Sequence, residues 1–143
     1  MAVQMVMGFL AALTFGYIFR VPAGESIRCG LVGCLGWTIF LAAQGPVGEV
    51  GAVFLAATAV AVASEVLARR RHQPVIVFLT PGIIPIVPGS KAYLTMLSFV
   101  QKDYAEGLVL LVTTLFLAGA VAAGIIITSS IFRSHTSTKP VGR

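Results

Sequence analysis

A single positive charge within an apolar segment is the feature of this sequence most clearly suited to chemistry. Lys91 follows Pro88, Gly89 and Ser90 in the stretch VIVFLTPGIIPIVPGSKAYLTM, residues 75–96. A helix that restarts after Pro88-Gly89 has first-turn N–H groups without partners, and its positive end favours an anion. With Ser90 as the helix cap and the Lys91 ammonium beside it, this restart predicts a site for a carboxylate.

Neighbouring side chains complete the predicted site. We expect the N–H groups of residues 89–91 to bind the carboxylate, and Tyr93, Thr95 and the Ser90 hydroxyl to hydrogen-bond other polar groups of the ligand. Pro85 and Pro88 would hold the break open, since proline cannot continue a helix. The alternative is that Lys91 binds nothing and only extends its long side chain toward the headgroups. The residues leave both interpretations open.

Composition defines the setting in which these residues lie. The chain has 143 residues, of which 57% are hydrophobic and 10% are charged, whereas a soluble domain carries about 25% charged residues. We therefore predict an all-α, polytopic membrane protein embedded in the lipid bilayer. The basic residues cluster between apolar runs, which reports membrane topology rather than nucleic-acid binding.

About five transmembrane segments follow from the requirement of about 20 apolar residues for each helical crossing. They are separated by short polar or Pro/Gly-containing stretches, among them Gln44-Gly45-Pro46 and the triplet Arg69-Arg70-Arg71. The fourth segment is interrupted at Pro81-Gly82, Pro85 and Pro88-Gly89 and is predicted to be a discontinuous helix. The predicted spans are 1–19, 27–43, 47–68, 74–100 (broken) and 107–132, followed by a basic tail, 133–143.

Alternate loops are rich in arginine and lysine, which predicts an orientation. Arg20 and Arg28 follow the first span, the arginine triplet 69–71 follows the third, and the tail is basic. The positive-inside rule then places the N-terminus outside and the C-terminus in the cytoplasm, with residues 74–100 crossing fully. A re-entrant fourth segment would instead put the basic tail outside.

The other polar and small residues fit structural roles. We expect Glu65 to pair with Arg69 one helical turn away, and Glu49 to be solvated at the outer end of its span. Gly30, Gly33 and Gly36 would allow close helix contacts, with lining of a substrate path as the alternative. Cys29 and Cys34 are interpreted as small apolar residues. The sequence has no evident nucleophile–base pair or metal-ligand cluster, so we predict no enzyme, cofactor or metal.

The pattern PxxPGxxxY, from Pro85 to Tyr93, resembles the threonine/serine exporter family. The stretch from Val21-Pro22 to Gly36-Trp37, a proline-started loop leading into a glycine-rich span, agrees with that family. The resemblance extends over roughly residues 20–101, most of the chain. Within the family, the chain is most similar to the small membrane subunit of split exporters, a group that includes a succinate exporter. The resemblance implies a bacterial inner-membrane exporter of threonine and serine or of a dicarboxylate.

The resemblance also implies a larger membrane subunit of the same family as partner. An odd number of spans gives no tandem inverted repeat within the chain, so a related half would have to come from another chain or from a homo-oligomer. The leading prediction is therefore a transporter subunit that binds substrate at residues 85–95. The alternative is a structural or assembly subunit whose partner carries the whole pathway.

Overall fold

Helices make up the regular structure, as expected for a chain whose backbone must satisfy its own hydrogen bonds in lipid. The computed structural model describes residues 2–136, and these contain no strand, which confirms the all-α prediction. Two helices are long and apolar enough to cross a membrane, with a third span if a bent pair is counted as one. The elements are α1 (Ala2–Ile18), α2 (Ala23–Arg71), α3 (Ile76–Ile83), a 3-10 turn (Ile84–Ile86), α4 (Gly89–Val100) and α5 (Tyr104–Thr136).

The longest element, α2, folds back on itself. Its 49 residues would span roughly 74 Å if straight, more than twice the hydrocarbon thickness of a bilayer. A Cβ atom added to Gly36 would lie 2.5 Å from Val60 Cγ2, and Glu25 Oε1 lies 2.9 Å from Arg71 Nε. Both pairs are centred on residue 48, so the halves 23–47 and 49–71 form an antiparallel hairpin.

Gly48 is the turn of this hairpin. Its backbone has φ 74° and ψ 174°, outside helical values, and glycine adopts a positive φ without the steric cost that other residues meet. The sequence predicted the boundary at Gln44-Gly45-Pro46, but the helix continues through Pro46. The predicted spans 27–43 and 47–68 are therefore each extended, and they are joined with almost no loop.

Glycines on the first half of α2 allow α1 to approach closely. A Cβ on Gly33 would lie 2.3 Å from the Ala12 Cβ, and one on Gly30 would lie 2.7 Å from the Phe9 ring. This confirms the predicted close packing at these positions. Gly45, which belongs to the repeated spacing farther along α2, has no such neighbour within 4 Å.

The core lies where α3 and α5 cover the hairpin. A Cβ on Gly82 would meet Val32 Cγ1 at 2.7 Å and Val60 Cγ1 at 3.3 Å, so α3 packs across both halves of α2. Helix α5 packs against the second half, with Gly124 close to the Phe54 carbonyl. The buried cluster that results consists of Val32, Val53, Ala56, Val60, Ile86 and Leu117.

Pro81 does not interrupt its helix, contrary to prediction. It lies inside α3 together with Gly82, and both residues are buried. Proline has no N–H, so the carbonyl of Val77 four residues earlier loses its helical partner. The Cys29 thiol of α2 donates a hydrogen bond to that carbonyl at 3.4 Å. A tertiary contact thus compensates for the proline, and Cys29 is more than a small apolar residue.

Helix α5 begins three residues earlier than predicted, at Tyr104, and continues to Thr136. Its start is capped by Asp103, whose Oδ1 accepts a hydrogen bond from the Glu106 N–H at 3.2 Å. Residues 133–136 of the predicted tail are helical. The rest of that tail, 137–143, lies outside the described residues.

Candidate functional site

Two prolines produce the break between α3 and α4. Pro85 lies in the 3-10 turn, Val87 is extended with φ −60° and ψ 109°, and Pro88 precedes the first residue of α4. Neither proline can donate the backbone hydrogen bond that would continue a helix. The helix axes on the two sides of the break differ by 50°. The chain is therefore irregular at the position where the sequence predicted a substrate site.

A cavity of about 100 Å³ lies beside this break. Four predicted site residues line it: Pro85, Pro88, Ser90 and Lys91. Pockets for drug-sized ligands measure about 300–1,000 Å³, so a cavity of this size suits only a small metabolite. The remaining lining residues come from α2, the break itself and α5, and are Trp37, Phe40, Glu49, Val53, Ile86, Val87 and Leu117.

The Lys91 ammonium meets Glu49 at the cavity wall. Lys91 Nζ lies 2.6 Å from Glu49 Oε2, and the two side chains are 29% and 34% exposed. Both charges are thus within reach of a small solute. The sequence predicts that Glu49 is solvated by interfacial water, whereas in the structure it pairs with a residue 42 positions away. Helical periodicity cannot predict a contact between residues so far apart in the sequence. The only indication in the sequence was that Glu49 and Lys91 are isolated charges of opposite sign in apolar surroundings.

Ser90 does not cap α4. The helix begins at Gly89, its N-cap residue is Pro88, and no side chain caps it. Ser90 is instead the second helical residue and is exposed. The Gly89 N–H is already bonded to the Val87 carbonyl, and the next helical bond joins the Ala92 N–H to the Pro88 carbonyl at 3.1 Å. The first-turn donors closest to Lys91 are therefore the N–H groups of residues 90 and 91.

Tyr93 and Thr95 lie outside the cavity. The Tyr93 side chain is 66% exposed, whereas Thr95 is buried. The Thr95 hydroxyl donates to the Lys91 carbonyl at 2.8 Å and lies 3.4 Å from the Thr114 hydroxyl. Thr95 thus links α4 to α5 instead of facing a ligand, and the structure brings neither residue to the Lys91 ammonium.

Trp37 adds a polar group that sequence analysis did not consider. Its ring lies in the cavity wall, and a Cβ on Gly8 of α1 would touch its Cβ at 3.0 Å. The indole N–H is buried and has no hydrogen-bond partner among residues 2–136. An unmade buried hydrogen bond costs about 1–3 kcal/mol, so the indole N–H is an unsatisfied donor within the described part of the chain.

A larger cavity has a different character. An open groove of about 640 Å³ runs between α2 and α5, and its lining contains no polar side chain. Nothing in it could orient a carboxylate or an ammonium group. We therefore place the candidate site at the smaller cavity, where two opposite charges meet. The groove is lined by Val50, Gly51, Phe54, Val112, Leu115, Phe116, Gly119, Ala120 and Ala123.

The remaining ion pairs gather at the opposite end of the hairpin. The Glu25 carboxylate meets Arg28 Nη1 at 2.6 Å and Arg71 Nε at 2.9 Å. The predicted pair of Glu65 and Arg69 is confirmed, with 3.7 Å between Oε2 and Nε. The contact of Glu25 with Arg71 joins the two ends of α2, because the hairpin places both residues opposite its turn at residue 48.

Comparison with known proteins identifies the family of this chain. The family profile described as Threonine/Serine exporter, ThrE, matches residues 4–131. A protein from Corynebacterium glutamicum described as a threonine/serine exporter is 27% identical over 130 residues, which cover 91% of this chain and 27% of that protein. The chain thus spans about a quarter of the length of the relative it matches. No solved structure matches. Since the profile covers nearly the whole chain, including the break and the ion pair beside it, the chain is a membrane protein of the threonine/serine exporter family.

Proposed function

We propose that this chain is the small membrane subunit of a two-component exporter, and that Lys91 binds the carboxylate of the exported amino acid or dicarboxylate. One observation carries the proposal: a partly exposed ammonium group lines a small cavity at a break between two helices. Irregular backbone at membrane depth is tolerated only inside protein or beside a water-filled cavity. A charge at such a place is by default a functional group.

The backbone around Lys91 supports the same role. The first turn of α4 presents the N–H groups of residues 90 and 91 toward the side of the break, and the positive end of the helix adds to the Lys91 charge. The Ser90 hydroxyl, which also lines the cavity, can donate to the same carboxylate. Pro85 and Pro88 keep the two helices from joining into one.

We infer five crossings of the bacterial inner membrane, with the N-terminus outside and the C-terminus cytoplasmic. The hairpin in α2 supports two crossings within that single element, and α3 with α4 supplies one broken crossing. A larger subunit of the same family completes the pathway in this proposal. Its support is that the chain matches only about a quarter of the length of its relative.

A second candidate function is assembly. The apolar groove between α2 and α5 is open, and Leu115 and Phe116 are both more than half exposed. Such a surface would suit a helix of the larger subunit as well as lipid. In that case the small subunit would hold its partner in the membrane, and the partner would carry the whole pathway.

The Lys91→Met variant separates these functions. It would replace the wild-type chain in its host, and cells would be loaded with threonine by feeding a threonine-containing dipeptide. Methionine keeps most of the stem of lysine without its charge. We expect export to fall at least tenfold while the tagged chain and its co-purifying membrane proteins stay at wild-type amounts. Lys102→Asn is the control, since Lys102 is an exposed turn residue with φ 63°, which asparagine tolerates.

Two outcomes contradict the carboxylate site. Wild-type export of threonine, serine and succinate by Lys91→Met at normal abundance would show that the ammonium group is not needed. Loss of export together with loss of the co-purifying partner would assign the assembly function instead.

A further inference from the structure

The partner of Lys91 in this structure bears on which ligand the site accepts. Glu49 directly follows Gly48, the turn of the hairpin in α2, and lines the cavity together with Lys91. Its carboxylate occupies the position at Lys91 Nζ, 2.6 Å away, that a substrate carboxylate would take. A substrate carboxylate that takes this position displaces the Glu49 carboxylate from Lys91, whichever substrate it is.

The cost of that displacement depends on the substrate's other charge. A dicarboxylate would bring two negative charges to a pair that is neutral overall, and Glu49 would be left partly buried, unpaired and facing a like charge. A zwitterionic amino acid brings its own ammonium group, which can take the place of Lys91 beside Glu49. The pair of Glu49 with Lys91 is then replaced by two pairs: Glu49 with the substrate ammonium, and Lys91 with the substrate carboxylate. No charge is left without a partner.

We propose that Glu49 is a specificity-determining residue: it binds the substrate's ammonium group and so selects small zwitterionic amino acids over carboxylates that lack one. This inference rests on the proposed binding of the carboxylate by Lys91. Discrimination of this kind combines an attractive contact for one ligand with a repulsive contact against the other. Without substrate, Glu49 and Lys91 neutralise each other.

Competition in inside-out membrane vesicles tests the proposal. The vesicles come from the host, so the remainder of the exporter is present, and uptake of radiolabelled threonine reports export. Serine is the reference competitor, and three further unlabelled compounds isolate the groups: 3-hydroxybutyrate lacks the ammonium, threoninamide lacks the carboxylate, and succinate carries two carboxylates. For the wild type we expect serine to compete and 3-hydroxybutyrate and succinate to compete at least about tenfold more weakly, as expected when a charged hydrogen bond is lost.

The Glu49→Gln variant gives the decisive comparison. Glutamine keeps the shape and removes the charge, so threonine should bind at least about tenfold more weakly, while competition by 3-hydroxybutyrate and succinate should be unchanged or stronger. If Glu49→Gln retains the wild-type order of preference, Glu49 does not select the ammonium group and the proposal is wrong. The Lys91→Met variant separates the two proposals. If Lys91 does not bind the substrate, Lys91→Met takes up threonine at the wild-type rate; if only the role of Glu49 is wrong, Lys91→Met still loses uptake.

A charge-swapped double variant, Glu49→Lys with Lys91→Glu, covers the case in which Glu49→Gln does not accumulate. The swap restores an ion pair at the same place but puts a negative charge at the start of α4, where the substrate carboxylate should bind. We expect normal membrane abundance and no threonine uptake. Wild-type uptake and preference in the swapped protein would show that the pair only joins α2 to α4, and would overturn the proposal.

Discussion

At the scale of single residues, Glu25 closes the end of the hairpin opposite the cavity. It is 6% exposed and accepts hydrogen bonds from Arg28 at 2.6 Å and from Arg71 at 2.9 Å. Arg28 is three residues away on the same helix, whereas Arg71 is 46 residues away at the other end of α2. A buried carboxylate is stable only when it is paired and hydrogen-bonded in this way. Glu25 therefore ties the two helix ends together.

Replacing Glu25 by Gln should lower the thermal stability of the purified protein in detergent. The change removes the charge that both arginines share and leaves their guanidinium groups partly buried without an anion. We expect the midpoint of thermal unfolding to fall by several degrees. Glu106→Gln, on an exposed position in the first turn of α5, should have almost no effect. Equal midpoints for the two variants would contradict the role of Glu25.

At the scale of elements, glycine spacing determines how closely α1 lies against α2. Lipid is as apolar as the helix surfaces, so helices associate in a membrane through close contact and not through the hydrophobic effect. Gly30, Gly33 and Gly36 all contact another helix or the break, whereas Gly45 has nothing within 4 Å. The same residue type at similar spacing therefore has different consequences at different positions along the first half of α2.

The Gly33→Ala variant should be destabilised by about 1–3 kcal/mol, the usual cost of overpacking a close contact. Its new methyl group would lie 2.3 Å from the Ala12 Cβ, so one helix must move. Gly45→Ala is the matched control and should be neutral or stabilising, because alanine favours a helix by up to about 1 kcal/mol over glycine. Thermal unfolding in detergent measures both.

A compensating change completes this test. Adding Ala12→Gly to Gly33→Ala returns the contact to one methyl group and should recover most of the lost stability. No recovery would mean that the clash with Ala12 is not the cause, and that the conformation of α2 itself resists the substitution.

At the scale of the whole molecule, arginines collect at one end and the cavity lies toward the other. Arg71 meets Glu25 across the hairpin, and the Arg69 guanidinium lies 4.8 Å from the centre of the Phe132 ring of α5. The loops that follow α1 and α2 and the far part of α5 are thereby brought together. The hairpin turn with Glu49 is at the opposite end. Clustered arginines at one end of a bundle are typical of the cytoplasmic side.

Labelling of single cysteines tests the orientation and the crossing of residues 74–100. In a background with Cys29→Ala and Cys34→Ala, we expect a membrane-impermeant maleimide to label Gln44→Cys and Gln101→Cys in intact cells. Arg70→Cys should react only after the cells are permeabilised. All three positions are exposed.

The pattern of labelling distinguishes the alternatives. If Gln101→Cys reacts only after permeabilisation, as Arg70→Cys does, then α3 and α4 re-enter the membrane from one side and the five-crossing proposal is wrong. If the labelling is reversed at all three positions, the number of crossings stands, but the N-terminus lies in the cytoplasm.

Local properties of the sequence were sufficient for the membrane class and for the all-helical fold. The hydrophobicity of a segment, the missing N–H of proline and the small size of glycine are properties of single residues or short stretches. Their effects can therefore be predicted from the sequence alone. The same holds for the pairing of Glu65 with Arg69, which one turn of helix brings together. Pro81 was misjudged because its effect depends on the Cys29 thiol, which a different helix supplies.

Only the tertiary structure decided which charges meet. The turn at Gly48 reverses α2, and this reversal brings Glu25 to Arg71 and orients Glu49 toward the break. Residues 42 or 46 positions apart have no common periodicity, so no pattern in the sequence could pair them. The sequence thus identified Lys91 as a charge in need of an explanation. The fold supplied its partner, because α3 packs on the hairpin and α4 packs on α5, and together these contacts set the distance between Lys91 and Glu49.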